Sequence, residues 1–287
     1  MVSDSIPTRI SGAGEPEPPM PGRQTLTKPV AVFDAGIGSY AAVAAIRRLL
    51  PQQDIVYFAD RASFPYGGKS RAELLAILRR TLLYLNGFDP AAVLVASNAP
   101  SITVLNEIGD VIGVPVLGVR PPIASALGVA GAGDVAVLGV QSMVRSPELR
   151  AYADREAGEH GIRVHLVDAS PLVDLVESGA FLFDPEATRH AVDAFMDDLD
   201  ARHPNLAAVT LSSTHLPWLL LYLKAARPAW PFLDPLEDAV AAIVPHSAAG
   251  TGALVGLVTE NERLPVGDFR AMLDRMGIAL PLHTVRL

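Results

Sequence analysis

Short unbroken apolar runs that end in small or polar residues recur along this chain, separated by longer stretches of helical period, and this alternation narrows the fold most. A strand covered by helices on both faces reads as a continuous apolar run rather than an alternating one, which marks a parallel sheet. The runs at 30–33, 55–58, 92–96, 114–117, 135–138, 164–167, 207–211 and 232–233 are expected as strands. The stretches 40–50, 70–85, 146–160, 185–201 and 217–226 are expected as helices. The class is therefore α/β, built from βα units around parallel strands. Half of the 287 residues are hydrophobic, enough to bury a core in one large domain or in two of roughly 100 to 150 residues.

Ahead of this pattern, residues 1–27 hold five prolines (Pro7, Pro16, Pro18, Pro19, Pro21) and no periodic apolar face, which reads as a flexible leader. It lacks the basic start and apolar stretch of a secretory signal, so the expected location is the cytoplasm. The stretch 239–258 comes nearest to a membrane span, but Pro245, His246, Ser247 and three glycines interrupt it, and no membrane association is expected. Lys plus Arg number 23 against 31 Asp plus Glu, a net charge of −8 that argues against direct nucleic-acid binding. Cysteine is absent, which excludes disulfides, cysteine metal sites and thiol chemistry.

Two strand ends resemble each other: Val93-Leu94-Val95-Ala96-Ser97-Asn98-Ala99-Pro100 and Val209-Thr210-Leu211-Ser212-Ser213-Thr214-His215-Leu216-Pro217. In each, a buried strand releases small polar residues and a proline then opens a helix. Internal duplication would set two such turns face to face across one cleft, where free backbone N–H groups attract a carboxylate or phosphate. The alternative is that Ser97 and Ser213 only cap helices.

Other motifs are weaker. Gly36-Ile37-Gly38-Ser39-Tyr40-Ala41 formally fits a dinucleotide fingerprint, but Asp34 sits where a pyrophosphate would approach, and Asp54 and Asp60 are poorly spaced for the ribose. The glycines are better read as a tight strand-to-helix turn. Phe64-Pro65-Tyr66-Gly67-Gly68-Lys69-Ser70 lacks the first glycine of a phosphate-binding loop; it can present N–H groups and the Tyr66 hydroxyl to a small anion, or be a packed loop. The seven histidines show no helical metal-ligand spacing, and no metal is expected. Ser213 and His215 raise serine hydrolysis, but there is no Gly-x-Ser-x-Gly elbow and residues two apart rarely adopt triad geometry.

Taken together, Val32 through Gly38, Phe64-Pro65-Tyr66-Gly67, Ser97-Asn98, Leu175-Val176-Glu177-Ser178-Gly179, Ser213-Thr214-His215-Leu216-Pro217 and Leu233-Asp234 resemble the glutamate racemases of the aspartate/glutamate racemase superfamily. The resemblance runs from about Lys28 to the C-terminus. It implies two similar α/β domains with the ligand between them, the first formed by 28–119 plus 242–287 and the second by 120–241. It also implies a cytoplasmic homodimer, no cofactor, a small amino-acid or dicarboxylate ligand, and a role in supplying D-glutamate for peptidoglycan. By resemblance, Ser97, Ser213, Asp34, Glu177 and His215 hold catalytic positions, and Pro65, Tyr66, Gly67, Asn98, Ala99 and Thr214 surround the substrate.

The family's reaction looks like a two-base proton transfer with a cysteine on each side of the α-carbon, in turns written Cys-Asn-Thr and Gly-Cys-Thr-His. Here both cysteines are serine, Ala99 replaces the threonine, Ala35 replaces the serine of an Asp-Ser-Gly turn, and Gly139-Val140-Gln141-Ser142-Met143 departs from a threonine-bearing loop, with Met143 pointing to a more apolar ligand. A thiol ionises near pKa ~8.5 and an aliphatic hydroxyl near the ~15.7 of water. Forming an alkoxide instead of a thiolate therefore costs roughly 9 to 10 kcal/mol, six to seven orders of magnitude in rate if nothing compensates. A hydroxyl missing from a buried charge costs about 1 to 3 kcal/mol more. The sequence reads as a glutamate-racemase-like protein with an interdomain carboxylate cleft and little or no cysteine-type racemase activity. The alternative is an active amino-acid racemase or related isomerase that uses Ser97 and Ser213 as bases.

Overall fold

The computed structural model describes residues 22–158 and 161–287. Its strands are β1 (Val30–Asp34), β2 (Ile55–Asp60), β3 (Ala92–Val95), β4 (Val116–Gly118), β5 (Asp134–Gly139), β6 (Val164–Asp168), β7 (Leu206–Leu211), β8 (Phe232–Leu233), β9 (Leu254–Thr259) and β10 (Leu282–Thr284). The helices are α1 (Tyr40–Leu49), α2 (Arg71–Asn86), α3 (Asn98–Thr103), α4 (Ile123–Ala130), α5 (Gln141–Val144) and α6 (Pro147–Ala157). They continue with α7 (Ser170–Glu177), α8 (Ala180–Phe183), α9 (Pro185–Arg202), α10 (Leu220–Ala226), α11 (Leu236–Ala241) and α12 (Val266–Arg275).

The strands form two parallel sheets, one of six strands in the order β10-β9-β2-β1-β3-β4 and one of four in the order β6-β5-β7-β8. The four-strand order repeats: second, first, third and fourth strand of each unit stand side by side, and β9 and β10 extend the first sheet beyond β2. Ser97 follows the third strand of the first unit and Ser213 the third strand of the second, which accounts for their similar strand ends. β1, β2, β3 and β5 are buried along their whole length, as their continuous apolar runs require. One apolar cluster passes from Val30 and Val32 of the first sheet to Ala136, Leu138 and Val209 of the second, so the two lobes share a core.

Local chemistry sets the helix starts. Ser70 and Glu73 form a capping box at the start of α2, and Asp184 caps α9 ahead of Pro185 in its first turn. Residues 217–226, expected as one helix, begin as a 3₁₀ turn over Leu216–Leu219 before α10.

Several sequence expectations are corrected. β9 and β10 are absent from them, and the stretch 239–258 resolves into the end of α11, a turn and most of β9. Gly256 breaks the apolar run there because Pro281 O approaches so closely that a β-carbon would lie 2.7 Å from it. The chain is anchored before Lys28: Arg23–Thr25 is a 3₁₀ turn, Leu26 packs on the first sheet's core, and Thr27 N–H donates to Asp54 Oδ2 at 2.8 Å. The five leader prolines and His160 lie outside the described residues. Among those residues, no helix is long and apolar enough to cross a membrane.

Candidate active site

The carboxyl ends of both sheets open onto one cavity of about 340 Å³. In open α/β sheets this is where ligands bind. β1 delivers Asp34 and Ala35, the loop after β2 delivers Pro65, Tyr66 and Gly67, and β3 delivers Ser97, Asn98 and Ala99. From the other lobe, β5 delivers Val140, Gln141 and Ser142, and β7 delivers Ser213, Thr214 and His215. Every site residue expected from the sequence lines the cavity except Glu177.

Glu177, at the end of α7, stands behind His215 and accepts from three donors. His215 Nε2 lies 2.9 Å from Glu177 Oε2, Ile37 N–H donates to the same oxygen at 3.2 Å, and the Arg61 guanidinium pairs with Oε1. Burial by itself would raise this carboxyl, but the hydrogen bond and charge of His215 and the charge of Arg61 outweigh it and hold Glu177 below the usual carboxylate range. An ionised carboxylate only accepts, so the His215 Nε2 carries the proton and, in the neutral ring, Nδ1 is left as an acceptor. Nδ1 stands 3.5 Å from Ser213 Oγ. The structure thus brings Ser213, His215 and Glu177 into one line, an arrangement that the two-residue spacing argues against. The reason is the turn after β7: His215 N–H folds back onto Ser213 Oγ at 3.4 Å, placing both side chains on one side of the chain.

Across the cavity, Asp34 is buried at the end of β1. Burial, opposed by His215, the Ala35 N–H and the Ser97 hydroxyl, raises its pKa to about 6. Thr214 Oγ1 reaches over from the second lobe to Asp34 Oδ2 at 3.4 Å. Each serine therefore stands beside a titratable group: Ser97 beside Asp34, and Ser213 beside His215. Asn98 donates from Nδ2 to Val119 O at 3.2 Å, while its buried Oδ1 has no partner among the described residues.

The glycines of the first turn serve this meeting of lobes. A β-carbon on Gly36 would lie 2.6 Å from His215 Nε2, and one on Gly38 would lie 2.7 Å from His215 N. Trp218 Nε1–H closes the contact by donating to Gly38 O at 3.2 Å. The turn is filled by protein, which removes the dinucleotide reading and explains the glycines by close approach.

Two further expectations are corrected. Met143 is fully buried in the second lobe's core and lines no part of the cavity; Val140 supplies the apolar wall instead. The Tyr66 hydroxyl points to Asp60 Oδ2 at 3.3 Å, so Tyr66 offers the cavity its ring rather than its hydroxyl.

Arg61 and Arg145 escaped the sequence reading. Arg61 is fully buried, with its guanidinium carbon 4.9 Å from the Phe269 ring centroid. Nothing in the stretch Asp60-Arg61-Ala62 marks it as buried, because its partner lies 116 residues away. Arg145 follows α5 at the cavity's edge and is an ordinary exposed basic residue by sequence.

Comparison with known proteins accords with this geometry. No family model matches the chain. A glutamate racemase of Thermus thermophilus is 32% identical over 265 residues, covering 87% of this chain and 92% of the relative. One from Sphingopyxis alaskensis is 33% identical over 201 residues, covering 69% and 73%. Among solved structures, a Thermus thermophilus glutamate racemase in complex with β-chloro-D-alanine superposes with a TM-score of 0.70 at 29% identity, covering 90% of this chain and 97% of that one. The Escherichia coli glutamate racemase in complex with L-glutamate and an activator shares the fold, with a TM-score of 0.78 at 22% identity over 90% and 98% of the two chains. On this extent of shared sequence, and with its two similar parallel sheets facing one cleft, the chain belongs to the glutamate racemase family.

Proposed function

We propose that the cleft binds a small amino acid or dicarboxylate and that the protein carries out little or no racemisation of the cysteine type. The observation that carries this reading is that the two turns facing the cavity from opposite lobes bear the hydroxyls of Ser97 and Ser213. A hydroxyl loses its proton, to become the base that takes one from a carbon acid, about six to seven orders of magnitude less readily than a thiol. The ligand class is supported by Arg145 at the edge for a carboxylate and by Asp34 and Asn98 Oδ1 as acceptors for an ammonium group. The protein is taken to act in the cytoplasm as a homodimer, with the lobes divided near residues 119 and 242.

A second reading, slow racemisation by the serines to supply D-glutamate for peptidoglycan, is favoured by one observation. Asp34 and His215 each stand beside a serine and could take its proton. Exchange of the α-proton in D₂O, followed by NMR with L- and D-glutamate and aspartate, decides between the two. The first reading expects binding, seen as ligand line broadening, and no deuterium incorporation above buffer. Incorporation that disappears in Ser97→Ala or Ser213→Ala would establish the second. No binding and no incorporation would reject both.

A further inference from the structure

We infer that Ser213 is an acyl-accepting nucleophile, with His215 as its general base and Glu177 and Arg61 as positioning residues, acting on small esters that enter the cleft. This goes beyond the proposed ligand binding, although it occupies the same cavity.

The argument starts from what a serine can and cannot do. As a base toward a carbon acid it must first exist as an alkoxide, which the preceding estimate makes too scarce. As a nucleophile toward an acyl carbon it needs no free alkoxide, because its proton leaves to a neighbouring base while the new bond forms. The diagnostic arrangement is a nucleophile within reach of a base that a third group orients. Here Ser213 Oγ stands 3.5 Å from His215 Nδ1, and His215 Nε2 stands 2.9 Å from Glu177 Oε2. The first contact is at the long end of hydrogen-bond range, where general bases often stand before substrate is in place. Glu177 is in turn fixed by the buried Arg61 and by Ile37 N–H at 3.2 Å. Ser213 borders the cavity, so an acyl group there meets the hydroxyl directly. Ser97 lacks this equipment, since its neighbour Asp34 is a carboxyl with no imidazole relay of its own.

The step balances without a co-reactant. Ser213 Oγ forms a bond to the ester carbonyl carbon while its proton passes to His215 Nδ1. The ester C–O bond then breaks, and the same proton goes to the departing alkoxide, leaving acyl-Ser213 and an alcohol. Water, deprotonated by His215, attacks the acyl carbon; the Ser213 C–O bond breaks and Oγ recovers a proton, releasing a carboxylic acid. The cavity of about 340 Å³ and Arg145 at its edge select a short acyl chain, with a carboxylate favoured.

The test treats the full-length protein with a fluorophosphonate probe and, separately, with p-nitrophenyl acetate, reading adducts by intact mass and peptide mapping. The expected result is a single adduct at Ser213, absent in Ser213→Ala. The labelling rate should fall at least about a hundredfold in His215→Asn and about tenfold in Glu177→Gln, with each variant's fold checked by circular dichroism. If either variant does not fold, His215→Gln or Glu177→Asp replaces it, and a fall in labelling rate in the same direction is required. No adduct, an adduct at another residue, or a labelling rate unchanged in the folded His215 variant overturns the inference. Deuterium exchange on the same preparation is a separate readout: exchange would overturn the binding reading of the previous subsection, whereas absent labelling overturns this one.

Discussion

A β-carbon on Gly36 would lie 2.6 Å from Nε2 of His215, although the two residues come from different lobes. Gly36 has an extended backbone with φ −109°, so an alanine is excluded by space and not by conformation. Gly36→Ala should push the imidazole off Glu177 and cost about 1 to 3 kcal/mol, the usual range for overpacking. Urea denaturation measures the loss, and the histidine ring signals in NMR report the displacement. An unchanged midpoint would mean that the lobes separate more easily than their contacts imply.

Asp34 should make stability fall as pH rises. Its folded pKa of about 6 lies above the ~3.9 of an unfolded aspartate, so between those values the folded state holds the proton more tightly. The resulting penalty is absent below about pH 4 and complete above about pH 6, and two units amount to about 3 kcal/mol. Asp34→Asn should therefore be more stable than the parent at pH 7.5 by up to that amount, and the gap should close toward pH 4. Thermal melts of both proteins across this window check the sign.

Restoring thiols should separate a lost base from a lost pocket. The double substitution Ser97→Cys with Ser213→Cys returns groups of pKa ~8.5 to both turns. Racemisation of glutamate or aspartate, followed by circular dichroism, should rise at least about a hundredfold over the parent. Full recovery is not expected, because Ala35 and Ala99 offer no hydroxyl to a buried charge. No increase in a folded, thiol-reactive variant would show that the cavity no longer orients an amino acid.

The pairing of Arg61 with Glu177 should be costly to break from one side. Arg61→Met leaves a buried carboxylate with its histidine and one peptide N–H, a loss of about 3 to 5 kcal/mol. Glu177→Gln added to it should recover part of that, giving a coupling energy in a double-mutant cycle of chemical denaturation. Additive effects would place the importance of Arg61 in its stacking on Phe269 instead.

Much of the architecture is local in origin and could be read from the chain. Continuous apolar runs mark strands buried on both faces, and β1, β2, β3, β5 and β7 fall where such runs stand. The strand ends at Ser97 and Ser213 are matching local patterns, and the repeated strand order explains why they match. β9 was hidden because Gly256 interrupts its run for the sake of Pro281 O, a neighbour that only the finished sheet supplies. β10 is three residues long with one of them buried, too short for any period to show.

By itself the sequence determined the α/β class, the position of each small polar turn and the absence of thiols, since each of these depends on residue type and near neighbours alone. Tertiary structure decided the rest, because charge and hydrogen bonding act through space. It placed Arg61 against Glu177 across 116 residues, raised Asp34 to a pKa of about 6 by burial, and turned Met143 into the core. It also brought Ser213, His215 and Glu177 together, because the turn after β7 sets His215 over Ser213 while α7 carries Glu177, 38 residues away in the chain, to the far nitrogen of the ring.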